Sequence, residues 1–163
     1  MFKKLKNKLK EQKGMTLIEL LAVIVILAII SAIAIPSILG LINNSKKDAH
    51  VANAQQMINS AKLAYSGDKD IQDDVTGGIK DATDPAGAVI TLKTLVDDQY
   101  LEEMEDPDGG SYKDTSAVVI VNTSGKLTYM VYLDGSKKKI GTSADESGSG
   151  AVSEKSLKRS SVK

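Results

Sequence analysis

Lys13-Gly14-Met15-Thr16-Leu17-Ile18-Glu19-Leu20-Leu21 opens an apolar run that continues to Ile42, and its reading decides the fold. From Leu20 to Ile35, sixteen successive residues carry no charge. Met15 to Ile42 is 28 residues. As a helix at ~1.5 Å per residue such a run extends ~42 Å, more than the ~30 Å hydrocarbon core of a bilayer requires. Glu19 is the anomaly at its outer end. A carboxylate deep in a membrane helix costs roughly 2.5 to 3.5 kcal/mol on insertion scales, so it asks for a partner and for a function.

Upstream, residues 1–14 hold six lysines (Lys3, Lys4, Lys6, Lys8, Lys10 and Lys13) and a single glutamate, a net charge of +5 inside a chain whose overall balance is zero. Lysine beside a membrane segment stays on the cytoplasmic side, which predicts an N-in, C-out topology with the chain outside after about Ile42. Three ordinary readings compete. A solvated basic arm explains the lysines but not the apolar run that follows them. A secretory signal peptide finds a small-x-small site at Ala32-Ile33-Ala34, yet Pro36 follows and the run continues through Ile38, Leu39, Leu41 and Ile42. A plain single-pass anchor explains the length and leaves Glu19 without a role.

The Lys-rich leader ending in Gly14, the Met15-Thr16-Leu17-Ile18-Glu19-Leu20-Leu21 segment, the long Ile/Val/Leu/Ala run and Pro36 together resemble the type IV pilins and their pseudopilin relatives. The resemblance implies cleavage between Gly14 and Met15 by a membrane-embedded prepilin peptidase, and N-methylation of Met15. Most relatives have Phe at that first position, so Met15 is an apolar departure. It also implies an assembly role for Glu19. If subunits stack with an axial stagger, each Glu19 meets the Met15 amine of a neighbour and both charges are satisfied. Burying such a pair does not guarantee net stability, but it penalises a wrong register. Pro36 removes one backbone hydrogen bond and is expected to bend the helix without ending it. Relatives often carry a glycine between the acidic residue and this proline, where this chain has Ala28.

Past Ile42, the polar cluster Asn43-Asn44-Ser45-Lys46-Lys47-Asp48 gives way to Ala54, Met57, Ile58, Ala61, Ala64 and Tyr65 at three- and four-residue spacing. That stripe predicts one helix from Met15 to Tyr65, its second half packed on a soluble head, ending at Ser66-Gly67-Asp68 with Gly67 as a left-handed cap. His50, the only histidine, reads as a surface residue of this helix. Residues 68–108 hold thirteen Asp or Glu against three Lys and read as a largely loop-like, solvated surface with breakers at Gly77-Gly78 and Asp84-Pro85. A short helix capped by Thr91 buries Leu92, Leu95 and Val96. Such an acidic surface disfavours direct DNA binding by this region.

Asp106-Pro107-Asp108-Gly109-Gly110 is a dense turn signal, similar to the turn before the sheet in Gram-positive pilins and in major pseudopilins of type II secretion. Asp106 and Asp108 offer oxygens for a hard cation but lack the fixed ligand spacing of an EF-hand, so the segment reads as a structural turn, with a metal site on these two residues as the weaker alternative and no other cofactor. Three strands are expected, Ser116–Val121, Lys126–Leu133 and Lys137–Ile140, joined at Ser124-Gly125 and Asp134-Gly135, with Leu127, Tyr129, Val131 and Leu133 facing the long helix. From Thr142 to Lys163 the composition is Ser, Gly and charge, which predicts a disordered tail. Its basic end (Lys155, Lys158, Arg159 and Lys163) carries, as the sharper alternative, a contact to DNA or a surface polymer.

The fold class is therefore α+β: leader 1–14, filament-core or membrane helix 15–42, amphipathic half 43–66, head 67–141 and tail 142–163. With no Cys, no disulfide staples the head, which leaves packing to hold it and favours a Gram-positive source. Nothing in the chain forms a nucleophile, acid–base pair or phosphate-cradling loop, so an enzyme is the least favoured class. The resemblance implies a pilus filament subunit, exported through the membrane to the cell surface, with other copies of itself, the prepilin peptidase, an assembly ATPase and a platform protein as partners. A pseudopilin of a competence DNA-uptake or type II secretion machine is the alternative, and a non-polymerising anchor is a third.

Overall fold

The computed structural model describes residues 15–77, 87–123, 125–144 and 148–163. The leader with Gly14, the Gly78 half of the first breaker, Asp84-Pro85 and Ser124 lie outside these residues. The chain divides into two compact units, Met1–Ile42 and Asn43–Lys163.

A single helix, α1 (Leu17–Gly67), supplies the described part of the first unit and enters the second. It stays helical through Pro36, and Ser37 Oγ donates to the Ile33 carbonyl at 3.4 Å within the turn that the proline weakens. Among the described residues its large apolar side chains from Met15 to Ile42 are exposed, and α1 is long and apolar enough to cross a membrane by length and composition.

In the second unit α1 turns one stripe inward: His50, Ala54, Met57, Ile58, Ser60, Ala61 and Ala64 are buried. Gly67 is not among the glycines with positive φ, contrary to the expected left-handed cap. Instead Asp68 starts a second helix, α2 (Lys69–Gly77), its Oδ1 accepting from the amides of Asp70 at 2.8 Å and Ile71 at 3.4 Å. Helix α2 corrects the loop expected over the start of the acidic stretch. Asp68 has the side chain of an N-cap, which the local charge density obscures.

Among the described residues the sheet has five strands where three are expected. β1 (Gly87–Thr91), β2 (Ala117–Thr123) and β3 (Lys126–Asp134) form an antiparallel meander in register Ile90↔Val118 and Val118↔Val131. The far edge of β3 pairs with β4 (Lys139–Ile140) through Leu133 and Asp134, and with β5 (Val152–Ser153) through Met130 and Val131. Helix α3 (Leu92–Asp97) begins at Thr91 as expected, with Thr91 Oγ1 accepting from the Thr94 amide at 3.1 Å, and it buries Leu92 and Leu95. One face of the sheet joins Met57, Ile58, Leu95, Val118, Ile120, Val131, Leu133 and Ile140 in a single core, with Leu127 and Tyr129 packed at its margin.

The opposite face is buried too, at Ala117, Val119, Val121 and Tyr132. Gly148 (φ 68°) lies against Met130 and Val121, and Gly141 (φ 80°) against Tyr132, so a Cβ at either position would collide with the sheet or its neighbours. The described residues after Ile140, 141–144 and 148–163, are thus folded onto the head, where a disordered tail is expected over 142–163. Val162 is 2% exposed, and Ile140 bridges to it. Lys47 Nζ donates to the Val162 carbonyl at 3.0 Å, Lys62 and Gln55 meet Glu154, and Arg159 pairs with both oxygens of Asp48. Composition misleads here because three apolar residues, Val152, Leu157 and Val162, suffice to dock a short segment whose backbone is already paired to β3 and to Lys139.

Candidate functional site

The first site is the start of α1. Thr16 donates to Glu19 Oε2 from its amide at 2.8 Å and from its hydroxyl at 2.7 Å, and the Glu19 amide donates back to Thr16 Oγ1 at 3.3 Å. This is a capping box: the first turn of a helix has amides without intrahelical acceptors, and a Thr-x-x-Glu pair satisfies two of them reciprocally. In the single chain Glu19 is therefore not a carboxylate without donors. The Thr-x-x-Glu spacing was readable as a helix start. Met15 is exposed next to this turn, Pro36 lies inside α1, and Gly14 falls outside the described residues.

The second site joins three segments of the head around Asp108. The Asp106–Gly110 loop closes through Gly109 N to the Asp106 carbonyl at 2.8 Å and Asp106 N to the Gly110 carbonyl at 2.9 Å, with Gly109 and Gly110 at φ 100° and 91°, where only glycine is unstrained. The Asp106 carboxylate organises this loop from within, Oδ1 accepting from the Asp108 amide at 2.7 Å and Oδ2 from the Ser136 amide at 2.5 Å in the β3–β4 turn. Burial pushes the Asp106 carboxyl up, but those two backbone donors, together with the Ser136 side chain and the nearby His50, outweigh it and hold the group below the usual carboxylate range.

Asp108 is the charged hub. Its Oδ2 accepts from Lys138 Nζ at 2.6 Å and lies 3.2 Å from His50 Nε2, while Oδ1 accepts from Lys46 Nζ at 3.2 Å. The Lys138 ammonium foremost, then the His50 and Lys46 hydrogen bonds, hold its carboxyl far below the ordinary value against the opposing effect of burial.

His50 is 1% exposed, so it is not the surface residue expected from sequence. Its Nε2 faces Asp108 and, at 3.6 Å, Asp106 Oδ1, which places a proton on that nitrogen. Nδ1 lies 2.8 Å from the Tyr112 hydroxyl, which in turn accepts from Asn53 Nδ2 at 3.0 Å. Burial first, then the two carboxylates, push the Tyr112 phenol up to about 12 against the Asn53 hydrogen bond.

His50, Asp106 and Asp108 present three possible metal-ligating atoms within 4.8 Å of one another. Sequence reading singled out the two aspartates and missed His50, Tyr112, Lys46 and Lys138. A signal for His50 existed, since it continues the buried stripe one turn before Ala54. With two carboxylates against two ammoniums, the cluster is balanced when the imidazole is neutral. Chemically it is a polar clasp of α1, the Asp106–Gly110 loop and the β3–β4 turn, and it does for this cysteine-free head what packing alone was expected to do.

Residues 9–35 match the prokaryotic N-terminal methylation motif. The chain carries a type IV pilin-like class III signal, and its long N-terminal helix with an antiparallel head is consistent with the pilin fold. No curated protein and no solved structure matches the chain.

Proposed function

We propose that this chain is the structural subunit of a type IV pilus filament. The observation that carries the reading is the stretch of α1 from Leu17 to Ile42, exposed and apolar with Glu19 as its one charged residue, whose first part lies within the methylation motif. Prepilin peptidase removes residues 1–14 by cutting between Gly14 and Met15, and the new amine on Met15 is methylated. Before assembly the helix holds the subunit in the membrane, N-terminus inside. An assembly ATPase and platform protein then draw it into a bundle of such helices, and the cost of their exposed apolar surface is relieved by packing on one another.

Glu19 sets the stagger of that bundle. In the free subunit its oxygens are served by Thr16, and in the filament the Met15 amine of a neighbour serves them better, because a cation is a stronger donor than an amide or hydroxyl. Mispositioned subunits lack that partner. The role is that of a substrate and building block, not a catalyst.

The test is Glu19→Ala, followed in two fractions. Filaments sheared from the cells should lose the protein, while its amount in the membrane stays unchanged. Normal filament yield with Glu19→Ala would contradict the role of Glu19, and loss from the membrane as well would move that role to insertion.

A further inference from the structure

The Asp108 cluster has the donor set of a small metal centre, two carboxylates and an imidazole, yet it already contains a cation. Lys138 Nζ sits 2.6 Å from Asp108 Oδ2, on the same oxygen that His50 Nε2 approaches at 3.2 Å. The Lys138 side chain is 15% exposed and that of Asp108 is 3% exposed, so this ammonium has left most of its hydration behind. Lys138 is held there by the backbone as well, because Gly135 N donates to the Lys138 carbonyl at 3.0 Å in the β3–β4 turn. A side chain at position 135 would collide with both Asp106 Oδ2 and that carbonyl. The turn is thus shaped to deliver one positive charge to the acidic loop.

We propose that Lys138 is a built-in counter-ion in a latent divalent-cation site, so that the head closes without metal and would require one if Lys138 were neutral. The physical reasoning is electrostatic. Two buried carboxylates near each other need cationic charge, and Lys46, at 37% side-chain exposure, supplies only part of it. Take away the Lys138 charge, and the oxygens of Asp106 and Asp108 together with His50 Nε2 are left as ligands for an ion that accepts both carboxylate and imidazole. A manganese-class divalent ion meets that description. To ligate, His50 must move its proton to Nδ1 and donate to the Tyr112 oxygen, which the 2.8 Å contact allows. The inference concerns how the head is held closed and does not depend on filament assembly.

The experiment compares the full chain and its Lys138→Met variant in detergent micelles, each in EDTA and in manganese. Thermal unfolding is followed by the near-ultraviolet signal of the tyrosines, and ion uptake by loss of the free-manganese resonance signal. The native chain should melt at the same temperature in both buffers and leave the manganese signal intact. Lys138→Met should melt several degrees lower in EDTA, regain that loss in manganese, and remove manganese stoichiometrically. The double variant Asp108→Asn, Lys138→Met should fold in EDTA and take up none. Manganese uptake or an EDTA-sensitive melt in the native chain would overturn the proposal, as would a Lys138→Met chain that melts alike, or is unfolded alike, in both buffers.

Discussion

Thr16 and Glu19 hold each other across the first turn of α1, two donors from Thr16 converging on one Glu19 oxygen at 2.8 and 2.7 Å. The charge that looks anomalous in an apolar run is thus the closing residue of its own helix start. The same pair offers Glu19 two successive uses, an intramolecular cap in the single subunit and, in the proposed filament, a partner for a neighbour's amine.

Thr16→Ala should expose the first part of that exchange. The amide of residue 16 still reaches Glu19, but the hydroxyl that donates to the carboxylate and accepts from the Glu19 amide is gone. Amide hydrogen exchange over residues 17–20 in micelles should accelerate relative to the native chain, whereas Thr16→Ser should match it. Equal exchange in Thr16→Ala and the native chain would remove the capping box from the account.

Asp108→Ala should destabilise the head by roughly 2–4 kcal/mol, because it strands Lys138 and His50 in a buried setting. All five tyrosines lie between residues 65 and 132, so urea titration of the near-ultraviolet signal reports the head separately from the apolar half of α1. A change within the error of the fit would show that the clasp is ornamental.

The pH dependence carries a sign. Asp108, Asp106, Asp134 and Glu154 all have carboxyls held below their ordinary values, Asp134 chiefly by Lys113 and Glu154 chiefly by Lys62. A group depressed on folding contributes stability that is full above its unfolded pKa, about 4, and is lost as the pH falls through the folded value. Urea midpoints should therefore drop steeply below about pH 4, and Asp108→Asn should flatten that slope. At the alkaline end the sign is opposite. Tyr112, raised to about 12, contributes stability that is full below its unfolded pKa, about 10, and is lost as the pH rises through about 12. Phenolate absorbance should show this late-titrating tyrosine disappear in Tyr112→Phe.

Two C-terminal substitutions should behave oppositely. Val162→Asp places a charge where the native side chain is 2% exposed beside Ile140, and the near-ultraviolet signal should report a loss of several kcal/mol. Arg159→Ala removes an ion pair whose partners are 53% and 51% exposed, and the urea midpoint should not move. Equal effects from the two would return the segment to a solvated tail.

Local signals were the legible ones. The stripe on α1, the Thr91 cap of α3 and the β2–β3 hairpin all follow from residues near each other in the chain, and they place the fold. β1 is five residues, Gly87–Thr91, set in an acidic stretch, and its reason to be a strand is β2, which begins at Ala117. His50 meets Asp108 across 58 residues of sequence, so the helix stripe gives its inward direction while its polar partners come from the distant Asp106–Gly110 loop. Low apolar content hid the C-terminal segment, since docking depends on where Val162 lands and not on how many such residues there are.

The central claim rests on where the mature chain begins. Peptide mass spectrometry of this protein, from filaments sheared off intact cells and from the membrane fraction, reads that directly. The account predicts a sheared fraction rich in chains that start at methylated Met15. Chains that keep residues 1–14, or start near Ile35, would contradict it and leave the anchor or the secretory reading in its place.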